Sequence, residues 1–220
     1  FNMNSKLTLG LLLNLLFLND IMAKDAALET CDAAVKNQQY AQAIQLAEQH
    51  RGQAEFWLCK GRAQSGLSQY EAAQQSFKQA ISLKPSGLDL ISAHMLLGNA
   101  QIEAKLHEAA LDNYLQALKL SEQQNMRRYA RVAHNLMGEA YFDLAKYQQA
   151  DQAIQYQLKG VMMLRKSGAP EQFAEASLTL GTLFMAKQDY VGADKTYQRL
   201  MEYAHENGGE FYEAKTAIYW

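Results

Sequence analysis

Five histidines, two cysteines and one run of arginines are the side chains through which this 220-residue chain could do chemistry. His94 and His134 each stand four residues before a glycine, Gly98 and Gly138. On packed helices such a pair would lie about 10 Å apart, whereas a zinc ion needs nitrogens at roughly 2.0–2.1 Å. Neither an HExxH helix nor a zinc-type Cys/His spacing occurs, so packing or solvent-edge histidines are expected and no metal. His50, His107 and His205 are isolated, each at or near a predicted helix end. No Ser/His/Asp set or carboxylate pair is supported by spacing. Gly208-Gly209 lacks the Lys-Ser/Thr that follows in a phosphate-cradling loop. No catalytic residue and no cofactor are therefore expected.

Arg127, Arg128 and Arg131 form the single basic cluster. A formal charge of −2 and a pI near 6.2 provide no electrostatic footprint for nucleic acid, so a solvated helix end is expected there rather than a phosphate site. Hydrophobic residues at 49% and charged residues at 20% are the balance of a folded, soluble protein. Two prolines among abundant Ala, Leu, Gln, Glu and Lys favour helix throughout, and no alternating β-branched run argues for a sheet.

Residues 3–23 read as a secretory leader. Lys6 is its small positive region, Leu7 to Leu18 its apolar run, and Ala23 precedes a cut. A twelve-residue run is too short to span a bilayer, which takes about 20. The alternative is a first helix packed on the rest, in which case the chain is cytoplasmic. With a leader, an even cysteine count favours a bridge in an oxidising compartment; two small buried residues are the other reading of Cys31 and Cys59. Thr30 before Cys31 is wrong for lipid attachment, which takes Gly or Ala there.

Behind the leader, one set of intervals recurs. From Gly61 it runs to Tyr70, Ala73, Phe77 and Ala80, with Trp57 before it and Pro85 after. From Gly98 it runs to His107, Ala110, Tyr114 and Ala117; from Gly138 to Tyr147, Ala150 and Ile154; from Gly181 to Tyr190, Ala193 and Tyr197. A degenerate copy takes Cys31 as origin and continues to Tyr40, Ala43 and Ala47. Small residues suit helix pairs in close contact, and the aromatic is expected to fill the gap between repeats. The intervals between origins lengthen along the chain, so the later helices should be longer by about a turn, roughly 5.4 Å.

These residue types at these spacings resemble the tetratricopeptide repeat. The resemblance implies an all-α fold: an α-solenoid with a right-handed superhelix of stacked antiparallel helix pairs. About five repeats would cover 24–52, 53–86, 87–125, 126–168 and 169–208. A partial sixth, 209–220, would supply an unpaired last helix. Either the sequence is a piece of a longer protein, or Phe211, Tyr212, Tyr219 and Trp220 pack on another chain in self-association. The resemblance puts Cys31 and Cys59 on the first helices of adjacent repeats, which are neighbours in such a stack.

It also implies a ligand groove along those first helices. The groove candidates are Leu58 and Arg62, then Met95, Asn99 and Ile102, then Asn135, Glu139 and Phe142, then Leu178 and Met185. Phe142 would be an exposed apolar anchor beside Asn99 and Asn135. A clamp for a terminal carboxylate is disfavoured, because Met95 and Asn135 stand where basic groups belong. The expected function is a non-catalytic bacterial scaffold, exported to the periplasm, that binds a partner peptide or helix and neither nucleic acid nor a membrane. A sensory portion of a longer signalling protein and a structural assembly subunit are the alternatives.

Overall fold

In a computed structural model of the chain, the described residues are 26–145, 150–207 and 209–219; residues 150, 151, 211, 214, 218 and 219 are described by their backbone alone. The expected leader 3–23 lies outside them, as do Tyr147, Trp220 and the side chains of Phe211 and Tyr219. The described residues form helices and contain no strand. In order these are α1 (26–36), α2 (Tyr40–Glu48), α3 (Ala54–Gly66), α4 (Tyr70–Ser82), α5 (Gly87–Glu103), α6 (His107–Gln123), α7 (Arg127–Ala145), α8 (Ala150–Ser167), α9 (Pro170–Ala186), α10 (Tyr190–Glu206) and α11 (Glu210–Tyr219). They pack as stacked pairs, an α-solenoid. Helix length rises from 13 residues in α3 and α4 to 17 in α5 and α6, about one added turn. Two compact units divide inside α5, between Leu96 and Leu97.

In four of the pairs the turn follows one design. Gln38, Ser68, Lys105 and Gln188 all adopt positive φ, between 57° and 63°. Each lets the chain close two bonds onto the preceding helix. After α3, for example, Gln69 N–H reaches Gln64 O at 2.9 Å and Ser68 N–H reaches Ser65 O at 2.9 Å. This satisfies the last carbonyls of the helix in a turn where glycine is usual. None of the four is glycine, so each turn carries a local cost that hairpin packing offsets.

In the first unit, a disulfide joins Cys31 of α1 to Cys59 of α3, with Cα atoms 6.3 Å apart. Both lie in a core with Ala34, Ala43, Ala47, Phe56 and Ala63. The Phe77 ring covers Gly61 so closely that an added Cβ would fall inside it. In the second unit Tyr114 covers Gly98 and Tyr197 covers Gly181 in the same way. These aromatics therefore pack against the glycine of their own pair, which corrects the expectation that they fill the gap between repeats. That gap is filled by the other aromatic position: Tyr40 of α2 lies over Gly66 of α3.

The α7–α8 pair is built differently. Gly138 and Gly160 face each other across it, each Cβ position 3.1–3.2 Å from the other's carbonyl oxygen. Leu164 and Phe142 close over the two glycines. Buried polar pairs recur at one spacing: Ser76 Oγ–H donates to Gln64 Oε1 at 2.6 Å, and Asn113 Nδ2–H to Gln101 Oε1 at 2.9 Å. The buried amide oxygens of Gln64 and Gln101 thus keep partners.

Candidate ligand clefts along the first helices

Among the described residues, two clefts hold residues expected in the groove, one in each unit. The cleft of the first unit is about 220 Å³ and brings together Leu58 and Arg62 of α3, Asp32 of α1, and Leu88, Asp89 and Ser92 of α5. Arg62 Nη2 meets Asp32 Oδ1 at 2.7 Å. Both side chains are more than a third exposed (38% and 47%). Such an open pair contributes little stability, so a ligand could displace either partner at small cost. Leu58 is 4% exposed and forms the cleft floor rather than a free anchor.

The cleft of the second unit is about 480 Å³ and lies between α7 and α9. Arg128, Arg131, Val132 and Asn135 line one wall, Gln172 the other, and the Ser167–Gly168–Ala169 turn closes one end. Asn135 Nδ2–H donates to Glu139 Oε1 at 2.8 Å, pairing two expected groove residues with each other. The arginines were expected to mark a solvated helix end. Arg128 and Arg131 instead line this cleft, because α7 begins at Arg127 and its first turns reach the α8–α9 turn.

The remaining groove candidates divide by burial. Met95 (8%) and Leu178 (5%) are buried and serve packing. Asn99 is exposed, but its Oδ1 accepts the Tyr114 hydroxyl at 2.8 Å. That hydroxyl is held well above the usual tyrosine pKa, by burial first and then by Glu139 and Glu103, so it remains a donor. Ile102 is half-buried, and Met185 is exposed. Phe142 is half-buried, with its ring 2.5 Å from where a Gly160 Cβ would stand. It packs between α7 and α8, which corrects its reading as a free anchor beside Asn99 and Asn135. The close approach of two glycine-bearing helices needs a ring to close over the contact, and Phe142 supplies it.

Asp32, Glu55 and Asp89 were missed in the first cleft. Asp32 follows Cys31 as Arg62 follows Gly61, so the repeat register carried a signal for it. Trp57 is half-buried at the surface, its indole N–H donating to Arg51 O at 2.7 Å and Lys60 lying 5.1 Å above its ring. Tyr212 of α11 is half-buried against the α9–α10 core. Among the described residues no cluster of His, Cys, Asp and Glu could hold a metal. No described helix is long and apolar enough to cross a membrane.

The family model of the tetratricopeptide repeat matches residues 54–86 and 91–124. No curated protein matches the chain in sequence. Among solved structures, the chain is similar to MamA, at 18% identity with 84% of this chain and 93% of that one covered and a TM-score of 0.57. It is similar to the C-terminal part of a TPR repeat-containing protein from Cytophaga hutchinsonii, at 16% identity, 87% and 70% coverage and a TM-score of 0.57. A third likeness is to the apo form of RapI, at 16% identity, 87% and 74% coverage and a TM-score of 0.55. At these identities the likenesses speak to the fold alone. The match to the tetratricopeptide-repeat model thus covers α3–α4 and most of α5–α6, and the other described helices stack in pairs beside them.

Proposed function

We propose that the chain is a non-catalytic scaffold that holds an extended segment or a helix of a partner protein against the first helices of its pairs. The observation that carries this reading is the cleft of the first unit, where Leu58 and Arg62 meet Ser92 across two first helices. It combines an apolar floor with a weakly held ion pair, the mixture that lets a peptide exchange polar contacts while burying one or two side chains. Repeats of this kind bury their own apolar faces by stacking and leave the first-helix face available. The test is affinity capture with the chain as bait beside an Arg62→Glu/Leu88→Glu variant. Both replaced side chains are at least partly exposed, so the variant should fold as the parent does. A partner held by the parent and lost by the variant supports the reading; equal capture by both sinks it.

The same reading places the chain in an oxidising compartment, exported and periplasmic. Its support is the Cys31–Cys59 bridge, since disulfides persist where thiols are not kept reduced. Cell fractionation with alkylation of free thiols tests it. A chain recovered from the cytoplasm with both thiols alkylated overturns the compartment and leaves the scaffold reading standing.

A further inference from the structure

The arginine cluster at the start of α7 is not explained by ion pairing. Arg127, Arg128 and Arg131 crowd like charges at the positive end of the helix dipole, and the first turn of α7 holds no acidic residue to offset them. Among the described residues none of the three pairs with a carboxylate. Yet Arg131 is held firmly in place. Its Nε–H donates to Ser167 O at 3.0 Å and its Nη2–H to Gly168 O at 3.4 Å. Gly168 has a φ of +69°, and a Cβ there would come within 3.1 Å of the guanidinium. The turn is thus shaped around that group. Two carbonyls orient the fork and leave its remaining N–H groups beside Arg128 in the α7–α9 cleft. The rest of the wall is apolar or neutral: Val132, which is 42% exposed, Leu136, Asn135 and Gln172.

We propose that the α7–α9 cleft recognises a carboxylate-bearing peptide segment, with Arg128 and Arg131 meeting the carboxylate and Val132 and Leu136 taking an apolar neighbour. The proposal rests on the scaffold reading and names the class of segment this cleft takes. A planar guanidinium matches a carboxylate in two parallel hydrogen bonds. The exposed Val132 and half-buried Leu136 beside it favour a peptide over a nucleic acid, as does the formal charge of −2. The carboxylate is that of an Asp or Glu side chain within the segment.

The test is fluorescence anisotropy of the whole chain with a short labelled peptide that alternates Glu and Leu and is amidated at its C-terminus. Binding is expected, with affinity reduced about tenfold by Arg128→Gln and by Arg131→Gln. Arg128 is exposed, so its variant keeps the fold even where Arg131→Gln loosens the turn. A Gln-for-Glu peptide should bind about tenfold more weakly. Restoration of its affinity by a free C-terminal carboxylate would make a chain terminus the ligand and overturn the side-chain assignment. Equal binding of the Glu and Gln peptides, insensitive to both arginine variants, overturns it. The scaffold reading then survives only if Val132→Glu still abolishes binding. Displacement of the acidic peptide by inorganic phosphate or a single-stranded oligonucleotide overturns it in favour of a phosphate site. Absence of binding by either peptide overturns this proposal, and the partner-capture experiment then decides the scaffold reading by itself.

Discussion

The Tyr114 hydroxyl donates to Asn99 Oδ1 at 2.8 Å while its ring lies over Gly98, the residue before that asparagine. One side chain therefore closes the α5–α6 contact twice, by packing and by hydrogen bond. The amide oxygen expected to face a ligand is already committed to a core tyrosine that is 2% exposed.

Gly98→Ala should destabilise the chain by about 1–3 kcal/mol, because the new Cβ enters the Tyr114 ring and the buried ring has nowhere to retreat. Urea titration followed by circular dichroism measures it. A midpoint equal to the parent's would mean that α5 and α6 can separate without cost, contrary to this packing.

Lys105→Gly should stabilise by about 0.5–1 kcal/mol. Lys105 holds a φ of 63° in the turn after α5, and glycine relieves that strain while leaving the Leu106 N–H to Gln101 O bond untouched. The gain is net of the larger chain entropy that glycine brings to the unfolded state. A lowered melting temperature would show that the lysine side chain makes a contact worth more than the strain.

Replacing Cys31 and Cys59 together by Ala should cost about 2–4 kcal/mol, since the bridge closes a loop with a sequence separation of 28. Both cysteines are 0% exposed, so the folded chain should resist mild reductant and expose its sulfurs to alkylation only near the unfolding midpoint. Rapid reduction under native conditions would mean that α1 opens readily from α3.

His134 has its pKa lowered by burial, then by Lys166, with Glu122 acting in the opposite direction. Its Nδ1 is buried with no hydrogen-bond partner among the described residues. The folded state therefore binds this proton less readily than the unfolded chain, and stability rises with pH through that window. Acidification below the ordinary histidine range of about 6.5 should destabilise the chain, and His134→Gln should flatten the dependence. An unchanged pH profile for the variant would remove His134 as the titrating group.

Much of this architecture was legible because short-range rules decide it. Gly61, Gly98 and Gly181 with Phe77, Tyr114 and Tyr197 sixteen residues later are a packing unit whose parts lie in one pair, so spacing alone exposes it. The lengthening of the helices after α4 followed from the same intervals. The groove was less legible. Leu58, Met95 and Leu178 occupy the expected register yet are buried, since an apolar side chain at the edge of a stripe turns inward wherever a neighbouring helix offers it cover.

The residue sequence by itself determined the helices, their pairing and the positions that must be small, because periodicity, turn residues and close contacts within a pair are local properties of the chain. Only the tertiary structure decided what faces a ligand. Whether Phe142 is an anchor or a lid over Gly160 depends on how closely α7 approaches α8, a distance set by both glycines at once. Whether Arg131 is a solvated end or a cleft wall depends on the Ser167–Gly168 turn, 36 and 37 residues further along. Exposure is a property of neighbours brought together by folding, and no interval in the sequence encodes it.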